Sequence, residues 1–187
     1  MAKLYFNYST MNAGKSIEAL KVAYNYKERS KKVLLFTSSL DNRYGEGVIA
    51  SRIGISQPAI SLGKNDKIPL SLVVNDISCV IVDEAQFLTK EQVLDLVKIV
   101  DDYDVPVMCY GLKNDFRNEM FEGSYYLLLY ADKIREIKTI CHCGRKATMV
   151  ARVIGGKKID AGDQVQIGGN ESYISLCRKH YMREELK

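Results

Sequence analysis

The residues from Ser9 to Ser16 constrain this chain more than any other stretch. They match the phosphate-binding pattern G-x-x-x-x-G-K-[ST], except that Ser9 occupies the place of the first glycine. A β-rich run, residues 3–8, precedes them, and an apolar run at helical spacing, residues 17–24, follows. This order of strand, loop and helix predicts a phosphate site lined by backbone N–H groups.

Two side chains of this loop have predicted roles. We expect Lys15 to reach the β- and γ-phosphates and the Ser16 hydroxyl to bind Mg²⁺. Ser9 is small enough to stand in for glycine and could cap the helix. The alternative is a helix N-terminus that binds no ligand, which the flanking strand and helix make less favourable.

Length and charge exclude several classes of protein. The 187 residues suffice for one hydrophobic core, or for one core with a small appendage. The net charge of +4 is too small to indicate nucleic-acid binding, but it is compatible with a polyanionic nucleotide substrate. No apolar run approaches the roughly 20 residues of a membrane span, and no signal-peptide pattern is present, so we expect a cytoplasmic protein that binds no membrane.

Buried-strand patterns alternate with helical patterns over most of the chain. Strands are predicted at 31–37, 78–82 and 105–111, and Thr89 begins a helix in which Gln92 can complete a capping box. A short apolar helix (123–131) and a strand (133–139) follow, and residues 38–60 are predicted as loop. The alternation predicts an α/β fold, a P-loop NTPase-like parallel sheet with helices on both faces.

The pattern changes near residue 139, where short strand-like pieces, glycine pairs and cysteines replace the α/β rhythm. We therefore predict a nucleotide-binding domain over residues 1–138 and a small C-terminal domain over residues 139–187. The second segment is too short for a sizeable core unless a metal or another cross-link stabilises it.

Four potential zinc ligands occur in two close pairs, Cys141 with Cys143 and Cys177 with His180. Cysteine and histidine side chains suit a tetrahedral structural zinc, although one intervening residue in the first pair is fewer than usual. The alternative is a set of scattered thiols and a surface histidine. The glycine-rich tail favours one structural Zn²⁺ per chain.

The other potential ligands are expected to have different roles. Cys79 and Cys109 lie inside predicted apolar strands, where cysteine packs as a small hydrophobic residue. His142 lies between two predicted ligands and is not itself expected to bind the metal.

Two adjacent acids follow the second predicted strand. Asp83 occupies the position of an aspartate that holds Mg²⁺ or its waters at the carboxyl end of a parallel strand. Glu84 is then free to accept a proton. The alternative is that both acids merely cap the next helix, but the phosphate loop earlier in the chain favours the metal and proton-transfer roles.

Several aromatic residues lie in predicted loops or at their edges. They are Phe87, Phe116, Phe121 and Tyr173. Aromatic side chains in loops that follow strands can form the walls of a pocket for a flat base. By themselves such residues more often belong to the core.

The motifs together carry a family resemblance over nearly the whole chain. They are Met11-Asn12-Ala13-Gly14-Lys15-Ser16, Asp83-Glu84-Ala85-Gln86-Phe87-Leu88, Tyr110-Gly111-Leu112, Asp115-Phe116-Arg117, Ile167-Gly168-Gly169-Asn170 with Tyr173, and Cys177-Arg178-Lys179-His180. On these residues the chain resembles the small zinc-containing thymidine kinases, called type II.

The resemblance implies an enzyme of nucleotide salvage, which transfers the γ-phosphoryl of ATP to the 5′-hydroxyl of thymidine, and of deoxyuridine, with Mg²⁺. It implies that Glu84 is the general base. The implied ATP-binding residues are Ser9, Thr10, Met11, Asn12, Ala13, Gly14, Lys15, Ser16, Asp83, Gln86 and Arg43. The implied Mg²⁺ site comprises Ser16, Asp83 and Asp41. The implied thymidine pocket comprises Met11, Phe87, Leu112, Phe116, Phe121, Ile167, Gly168 and Tyr173.

Further properties follow from the same resemblance. The tail would be a zinc-binding lasso, bound through Cys141, Cys143, Cys177 and His180, that closes over the nucleoside. A homotetramer and inhibition by dTTP are expected. The sequence departs from many members at Ser9, and at Lys113, where aspartate is common.

Two other classes of protein compete with this interpretation. A zinc-ribbon nucleic-acid-binding module on a P-loop ATPase would carry a concentrated basic stripe, whereas acids interleave with the basic pairs of this tail. A P-loop GTPase would carry an N-K-x-D signature for its base, and the sequence has none. The sequence therefore favours a nucleoside kinase that binds no nucleic acid.

Overall fold

A six-stranded parallel sheet forms the centre of the molecule. The computed structural model describes residues 1–73, 76–165 and 172–186. In chain order the strands are β1 (Leu4–Ser9), β2 (Lys32–Ser38), β3 (Val48–Ala50), β4 (Ser56–Pro58), β5 (Ile60–Leu62), β6 (Ile77–Val82), β7 (Val107–Leu112), β8 (Lys133–Glu136), β9 (Thr139–Ile140), β10 (Lys146–Ala147), β11 (Met149–Ile154), β12 (Lys157–Ile159) and β13 (Tyr173–Leu176). The helices are α1 (Lys15–Glu28), α2 (Lys90–Tyr103), α3 (Glu122–Tyr130) and α4 (Arg178–Met182). The central sheet has the order β5-β2-β6-β7-β1-β8.

Alternate side chains of the central strands supply two hydrophobic cores. On β6, Val80 and Val82 join the core formed with α2 and α3, whereas Cys79 and Ile81 join the core formed with α1. Strands buried on both faces read as continuous apolar runs, which is why the sequence signals them strongly. The predicted parallel sheet with helices on both faces is confirmed.

The predicted elements agree with the structure except in two places. The capping box that begins α2 is present, with Thr89 and Gln92 in both roles. Residues 38–60, predicted as loop, instead contain the antiparallel hairpin of β3 and β4 and the start of β5. The strand predicted over 133–139 ends at Glu136, and Thr139 pairs with Ala147 in a separate hairpin.

The C-terminal residues form smaller sheets beside the central one. β11 pairs with β12 on one side and with β13 on the other, all antiparallel. Side chains on β11 alternate in their packing: Met149 and Ala151 join a core with the cysteines, and Val150 packs with Phe116, Tyr173 and Met11. This second cluster joins the C-terminal sheet to the loops of the central sheet. The proposed domain boundary at residue 139 remains a prediction.

Membrane-spanning helices are absent from the described parts of the chain, because every helix there is too short or too polar to cross a bilayer.

Candidate active site

A cavity of about 350 Å³ opens at the carboxyl ends of β1, β6 and β7. Most of the predicted site residues line it: Met11, Asn12, Ala13, Gly14, Lys15, Ser16, Asp41, Arg43, Glu84, Gln86, Phe87, Leu112, Phe116, Phe121 and Tyr173. Ser9, Thr10 and Asp83 are buried beneath this lining. Ile167 and Gly168 lie outside the described residues. Parallel α/β sheets bind their ligands at this end of the strands.

The phosphate loop connects β1 directly to α1. Gly14 has φ 80° and precedes the first helical residue, a left-handed backbone conformation that glycine adopts at little cost. The Lys15 ammonium donates to Ser9 Oγ at 3.2 Å and to the Thr10 carbonyl at 3.3 Å. The expectation that Ser9 caps the helix is wrong, because Ser9 ends β1 and no side chain caps α1. Ser9 instead supports the lysine.

Lys15 is a buried cation at the floor of the cavity. Burial lowers the pKa of its ammonium, while the charges of Glu84 and Asp83 act in the opposite direction. A buried ammonium has lost its hydration, so an anion that binds beside it stabilises the charged form. The loop therefore presents a cation and the start of a helix to the same volume.

Asp83 lies at the end of β6, with 3% of its surface exposed. Burial, together with the charge of Glu84, raises the pKa of its carboxyl to about 7, although a hydrogen bond from Ser16 and the charge of Lys15 lower it. Its Oδ1 accepts the backbone N–H of Glu84 at 3.0 Å. Neither acid caps a helix through its side chain, since Thr89 caps α2. The capping alternative is therefore wrong.

Glu84 adopts a left-handed backbone conformation with φ 52°, which is uncommon for a residue other than glycine. Its carboxylate accepts hydrogen bonds from Arg43 Nη2 at 3.0 Å and from Gln86 Nε2 at 2.5 Å. The turn directs this carboxylate into the cavity, and two donors fix its orientation.

Arg43 links the two acids that line this part of the cavity. Its guanidinium forms two hydrogen bonds with Asp41, at 2.7 and 2.6 Å, besides the contact with Glu84. Burial would raise the pKa of the Asp41 carboxyl, but the hydrogen bonds and charge of Arg43 lower it overall. The hydrogen bond with Asp41 in turn raises the pKa of Arg43. Asp41 is therefore held ionised, as a metal ligand or a positioning group must be.

Gln86 fixes the relative position of β7 and the Glu84 turn. Its Oε1 accepts the backbone N–H of Leu112 at 3.0 Å, which leaves its Nε2 group to donate to Glu84. A Cβ atom on Gly111 would lie 2.9 Å from both the backbone nitrogen and Oε1 of Gln86. Glycine at 111 therefore allows the close approach.

The four predicted aromatic residues also line the cavity: Phe87, Phe116, Phe121 and Tyr173. Phe87 and Phe121 meet edge to face, with ring centroids 5.7 Å apart. Phe116 and Tyr173 pack with Val150 and Met11. A cavity lined by aromatic side chains suits a flat apolar ring.

Two arginines of this region were not predicted from the sequence as site residues. Arg52 lines the cavity from the turn between β3 and β4, in a segment predicted as loop. Arg152 is 3% exposed behind Tyr173. Only Arg152 carried a signal, as a charge within the otherwise apolar run of β11.

The four predicted zinc ligands converge beside β11. Their ligand atoms all lie within 4.8 Å of one another, with Cys141 Sγ 3.3 Å from His180 Nδ1 and Cys143 Sγ 3.9 Å from Cys177 Sγ. Two thiolates on a tetrahedral zinc are roughly 3.8 Å apart, given Zn–S bonds of about 2.3 Å. The donor set and its spacing therefore suit one tetrahedral ion.

Two further side chains contact His180 in this cluster. His180 Nε2 lies 3.4 Å from Glu185 Oε2, and the His142 ring stacks on the His180 ring with centroids 4.4 Å apart. Burial opposes ionisation of Cys141, but backbone N–H groups of Cys143 and Cys177 and the His180 ring lower its pKa to about 6. A thiolate is the form that binds metal.

Comparison with known proteins agrees with this site. A family model described as thymidine kinase matches residues 2–181. The thymidine kinase of Lactococcus lactis is 58% identical over 100% of both chains. That of Streptococcus thermophilus is 60% identical over 97% of this chain and 94% of its own. That of Shewanella oneidensis is 56% identical over 97% of each. This chain, with its phosphate loop, buried acids and cysteine–histidine cluster, belongs to the thymidine kinase family.

Proposed function

We propose that this protein transfers the γ-phosphoryl of ATP to the 5′-hydroxyl of thymidine, giving dTMP for nucleotide salvage, and that deoxyuridine is a second substrate. One observation carries the proposal. The Glu84 carboxylate lines a single cavity that is also lined by the phosphate loop and by aromatic rings. A phosphate donor on the loop and a nucleoside among the rings would share one cavity with that carboxylate.

The donor phosphates would lie on the loop from Ser9 to Ser16. Backbone N–H groups at the start of α1 would donate to the phosphate oxygens, and Lys15 would balance their charge. Ser16, Asp83 and Asp41 would hold Mg²⁺ directly or through its waters. Mg²⁺ bound there would supply charge neutralisation of the transferring phosphoryl group.

Glu84 is the proposed general base. The 5′ oxygen of the nucleoside forms a bond to the γ-phosphorus, the bond from that phosphorus to the bridging oxygen of ADP breaks, and Glu84 takes the hydroxyl proton. Arg43 and Gln86 orient the carboxylate through the hydrogen bonds described above. Such a base contributes about 10²–10⁴ to the rate.

The nucleoside would lie among the aromatic residues. Phe87 contacts Phe121, Phe116 packs in one cluster with Tyr173, and Met11 and Leu112 also line the cavity. Ile167 and Gly168 remain predicted members of this pocket, outside the described residues. Closure of the tail over the base likewise stays a prediction.

The cysteine–histidine cluster is proposed to hold one structural Zn²⁺. The four protein side chains would fill all the positions of a tetrahedral ion, which would leave none open for a reacting water. Metal analysis of protein purified without chelator should find about one zinc per chain. A chain that folds fully without zinc would contradict this proposal.

Assembly and regulation are proposed from the family resemblance. We expect a homotetramer that dTTP inhibits, working in the cytoplasm without nucleic-acid or membrane partners. The exposed apolar side chains Tyr125, Leu129 and Tyr130 on α3 support an assembly, because a partner chain would cover them.

The decisive experiment is direct. Purified enzyme is incubated with Mg-ATP and a panel of nucleosides, and the products are separated by chromatography. We expect thymidine and deoxyuridine to give 5′-monophosphates, and a Lys15→Ala control to give none while still binding thymidine. Phosphorylation of other nucleosides but not of thymidine would refute the proposal.

A further inference from the structure

The loop after β7 places a buried amide in the lining of the cavity. Asn114 has 6% of its surface exposed, lines the cavity, and lies between Leu112 and Phe116 in sequence. None of the steps proposed above uses it. A buried amide needs partners both for its two N–H groups and for its oxygen, since a buried donor or acceptor left without one costs about 1–3 kcal/mol. The partners of Asn114 therefore indicate what its side chain can bind.

The nitrogen and the oxygen of this amide have different surroundings. Its Nδ2 group donates to the Asp115 carbonyl at 3.1 Å and to Asn118 Oδ1 at 3.1 Å, so both of its protons have acceptors. Because the Asp115 carbonyl can only accept, the nitrogen must lie on that side of the amide. Within the described part of the chain, Asn114 Oδ1 accepts no hydrogen bond.

That oxygen is not fully enclosed by protein. Over the described residues, Ser61 Oγ is the one side-chain oxygen or nitrogen that is both fully enclosed and without a partner. Asn114 Oδ1 lacks a partner but is not fully enclosed, so it keeps access to open space. The open space that Asn114 borders is the cavity. A ligand in the cavity can therefore reach this acceptor.

The loop holds the amide in a fixed position. Asp115 Oδ1 accepts the backbone N–H groups of Arg117 at 2.9 Å and of Glu119 at 2.8 Å, and its Oδ2 accepts from the Arg117 guanidinium at 3.2 Å. The Asp115 N–H donates to the Glu119 carbonyl at 2.8 Å, and the Asn118 N–H donates to the Asp115 carbonyl at 3.1 Å. An acceptor that is fixed before its ligand binds loses little conformational entropy on binding.

We propose that Asn114 Oδ1 accepts the N3–H group of the thymine base and so favours pyrimidines that carry a proton at that position. This inference rests on the proposed thymidine kinase activity and adds a polar residue to the proposed nucleoside pocket. Neutral cytosine has a lone pair at N3, so in the same orientation it would place two acceptors against each other. The cavity-lining neighbours Leu112 and Phe116 are apolar and suit the ring of a base better than a hydroxylated sugar.

Binding of three nucleosides to the wild type and to Asn114→Ala tests the proposal by calorimetry. We expect thymidine to bind the variant about 3- to 10-fold less tightly, which is the effect of one lost hydrogen bond. 3-Methylthymidine lacks the N–H, so its affinities for the two proteins should agree within about twofold. 3′-Deoxythymidine keeps the N–H but lacks the sugar hydroxyl, and it should lose the same factor as thymidine. The KM for ATP should not change.

Asn118→Gly is the matched control. It removes one of the two acceptors of Asn114 Nδ2 but leaves Asn114 Oδ1 in place, and glycine suits the φ of 67° at this position. Asn118 is exposed and does not line the cavity. The control should lower Tm but bind thymidine within about twofold of the wild type, because the N3–H contact is intact. Should Asn114→Ala fail to fold, Asn114→Ser takes its place, because its shorter side chain lacks the amide oxygen.

Several results would overturn the inference. One is equal affinity for thymidine in the wild type and in folded Asn114→Ala. Another is an equal loss of affinity for 3-methylthymidine, which would show a general effect on the pocket. A loss that disappears with 3′-deoxythymidine would assign the contact to the sugar instead, and this arm decides if 3-methylthymidine binds neither protein.

The proposed function and this inference can fail separately. A wild type that neither binds nor phosphorylates thymidine would refute both together. An active wild type whose Asn114→Ala variant binds thymidine equally well would refute the inference alone.

Discussion

Three residues at the candidate site have a buried ionisable group or a strained backbone conformation, and each of these features lowers the stability of the fold. Burial lowers the pKa of Lys15 and raises that of Asp83 to about 7, and both side chains lie at the same end of the cavity. The backbone of Glu84 is in the left-handed conformation, which costs about 1–3 kcal/mol for a residue other than glycine. A sequence selected only for stability would remove all three features. Their combination at one site is typical of functional sites and is consistent with the proposed binding of Mg²⁺ and phosphate.

Substitution of Glu84 by glutamine tests its role as the base. The side chain keeps its size and can still bond to neighbouring groups, but it can no longer take a proton. We expect kcat to fall about 10²–10⁴-fold with a modest change in thymidine affinity. Steady-state kinetics and calorimetry measure the two quantities. Turnover close to that of the wild type would exclude Glu84 as the base.

The raised pKa of Asp83 predicts that the ionised carboxyl, which the proposed activity requires, lowers the stability of the fold. Since the folded-state pKa is raised to about 7 from the ordinary 3.8, the folded protein retains a proton that the unfolded chain has lost. Asp83 therefore contributes stability below about pH 4, and that contribution is lost as the pH rises from about 4 to 7.

Asp83→Asn should remove this pH dependence. We expect the ligand-free variant to have a Tm about 5 °C above that of the wild type at pH 8, with a smaller difference at pH 4.5. It should lose turnover at both values, because a neutral amide binds Mg²⁺ weakly. Calorimetric melting at the two pH values provides the measurement. A lower Tm for the variant at pH 8 would contradict a destabilising charge on Asp83.

At the scale of elements, a short 3₁₀ turn (Ala85–Phe87) sets the geometry of the site. The turn follows Glu84, contains Gln86, and packs against the first turn of α3. A Cβ atom on Gly123 would lie 2.4 Å from the Ala85 carbonyl oxygen and 2.9 Å from that of Gln86. The backbone of α3 thus reaches the turn directly, and a methyl group would force the two elements apart.

Gly123→Ala is accordingly expected to impair both stability and catalysis. Overpacking of this kind costs about 1–3 kcal/mol, and displacement of the turn would move Glu84 and Gln86. We expect kcat to fall more than tenfold with a lower Tm. Gly156→Ala is the control: its Cβ would meet nothing within 4 Å and its φ is 78°, so it should lose some stability but keep kcat. Equal kcat in the two variants would show that the contact between α3 and the turn does not position Glu84.

Some of these elements could be predicted from the sequence and others could not, for physical reasons. β6 is a continuous apolar run buried on both faces, and α1 follows a glycine-lysine-serine loop, so both were predictable. β3 and β4 are three residues each and contain Ala50 and Pro58, which favour no strand. Only their mutual pairing, across a turn closed by Ser51, makes them a hairpin. Short strands of this kind depend on tertiary context.

At the scale of the whole molecule, contacts distant in sequence complete the site. Arg43 meets Glu84 across 41 positions, and no local pattern encodes that distance. The family resemblance implied a role for each of the two residues, whereas their hydrogen bond is seen only in the folded structure. The cysteine–histidine cluster was predictable because paired ligands are a compositional signal. Its links to the cavity were not, because they are contacts between residues distant in sequence, such as the hydrogen bond from Tyr181 to the Phe116 carbonyl.

Tyr181 connects the cysteine–histidine cluster to the lining of the cavity. It lies on α4 next to His180, and its hydroxyl donates to the Phe116 carbonyl at 2.7 Å from a buried position. The Phe116 ring lies in the cavity lining. A metal bound by His180 would therefore also fix one end of a contact to the proposed nucleoside pocket, although the two proposed sites share no ligand.

Tyr181→Phe isolates this connection from zinc binding itself. Loss of the hydroxyl leaves a buried carbonyl without its donor, at a cost of about 1–3 kcal/mol, and frees the loop that carries Phe116. We expect KM for thymidine to rise several-fold while KM for ATP is unchanged, because the phosphate loop is supported by β1 and α1 instead. Zinc content should remain that of the wild type, since the four ligands are intact. If zinc is retained and KM for thymidine does not change, the metal cluster stabilises the tail without positioning the nucleoside wall; if KM for ATP rises equally, the effect is general destabilisation.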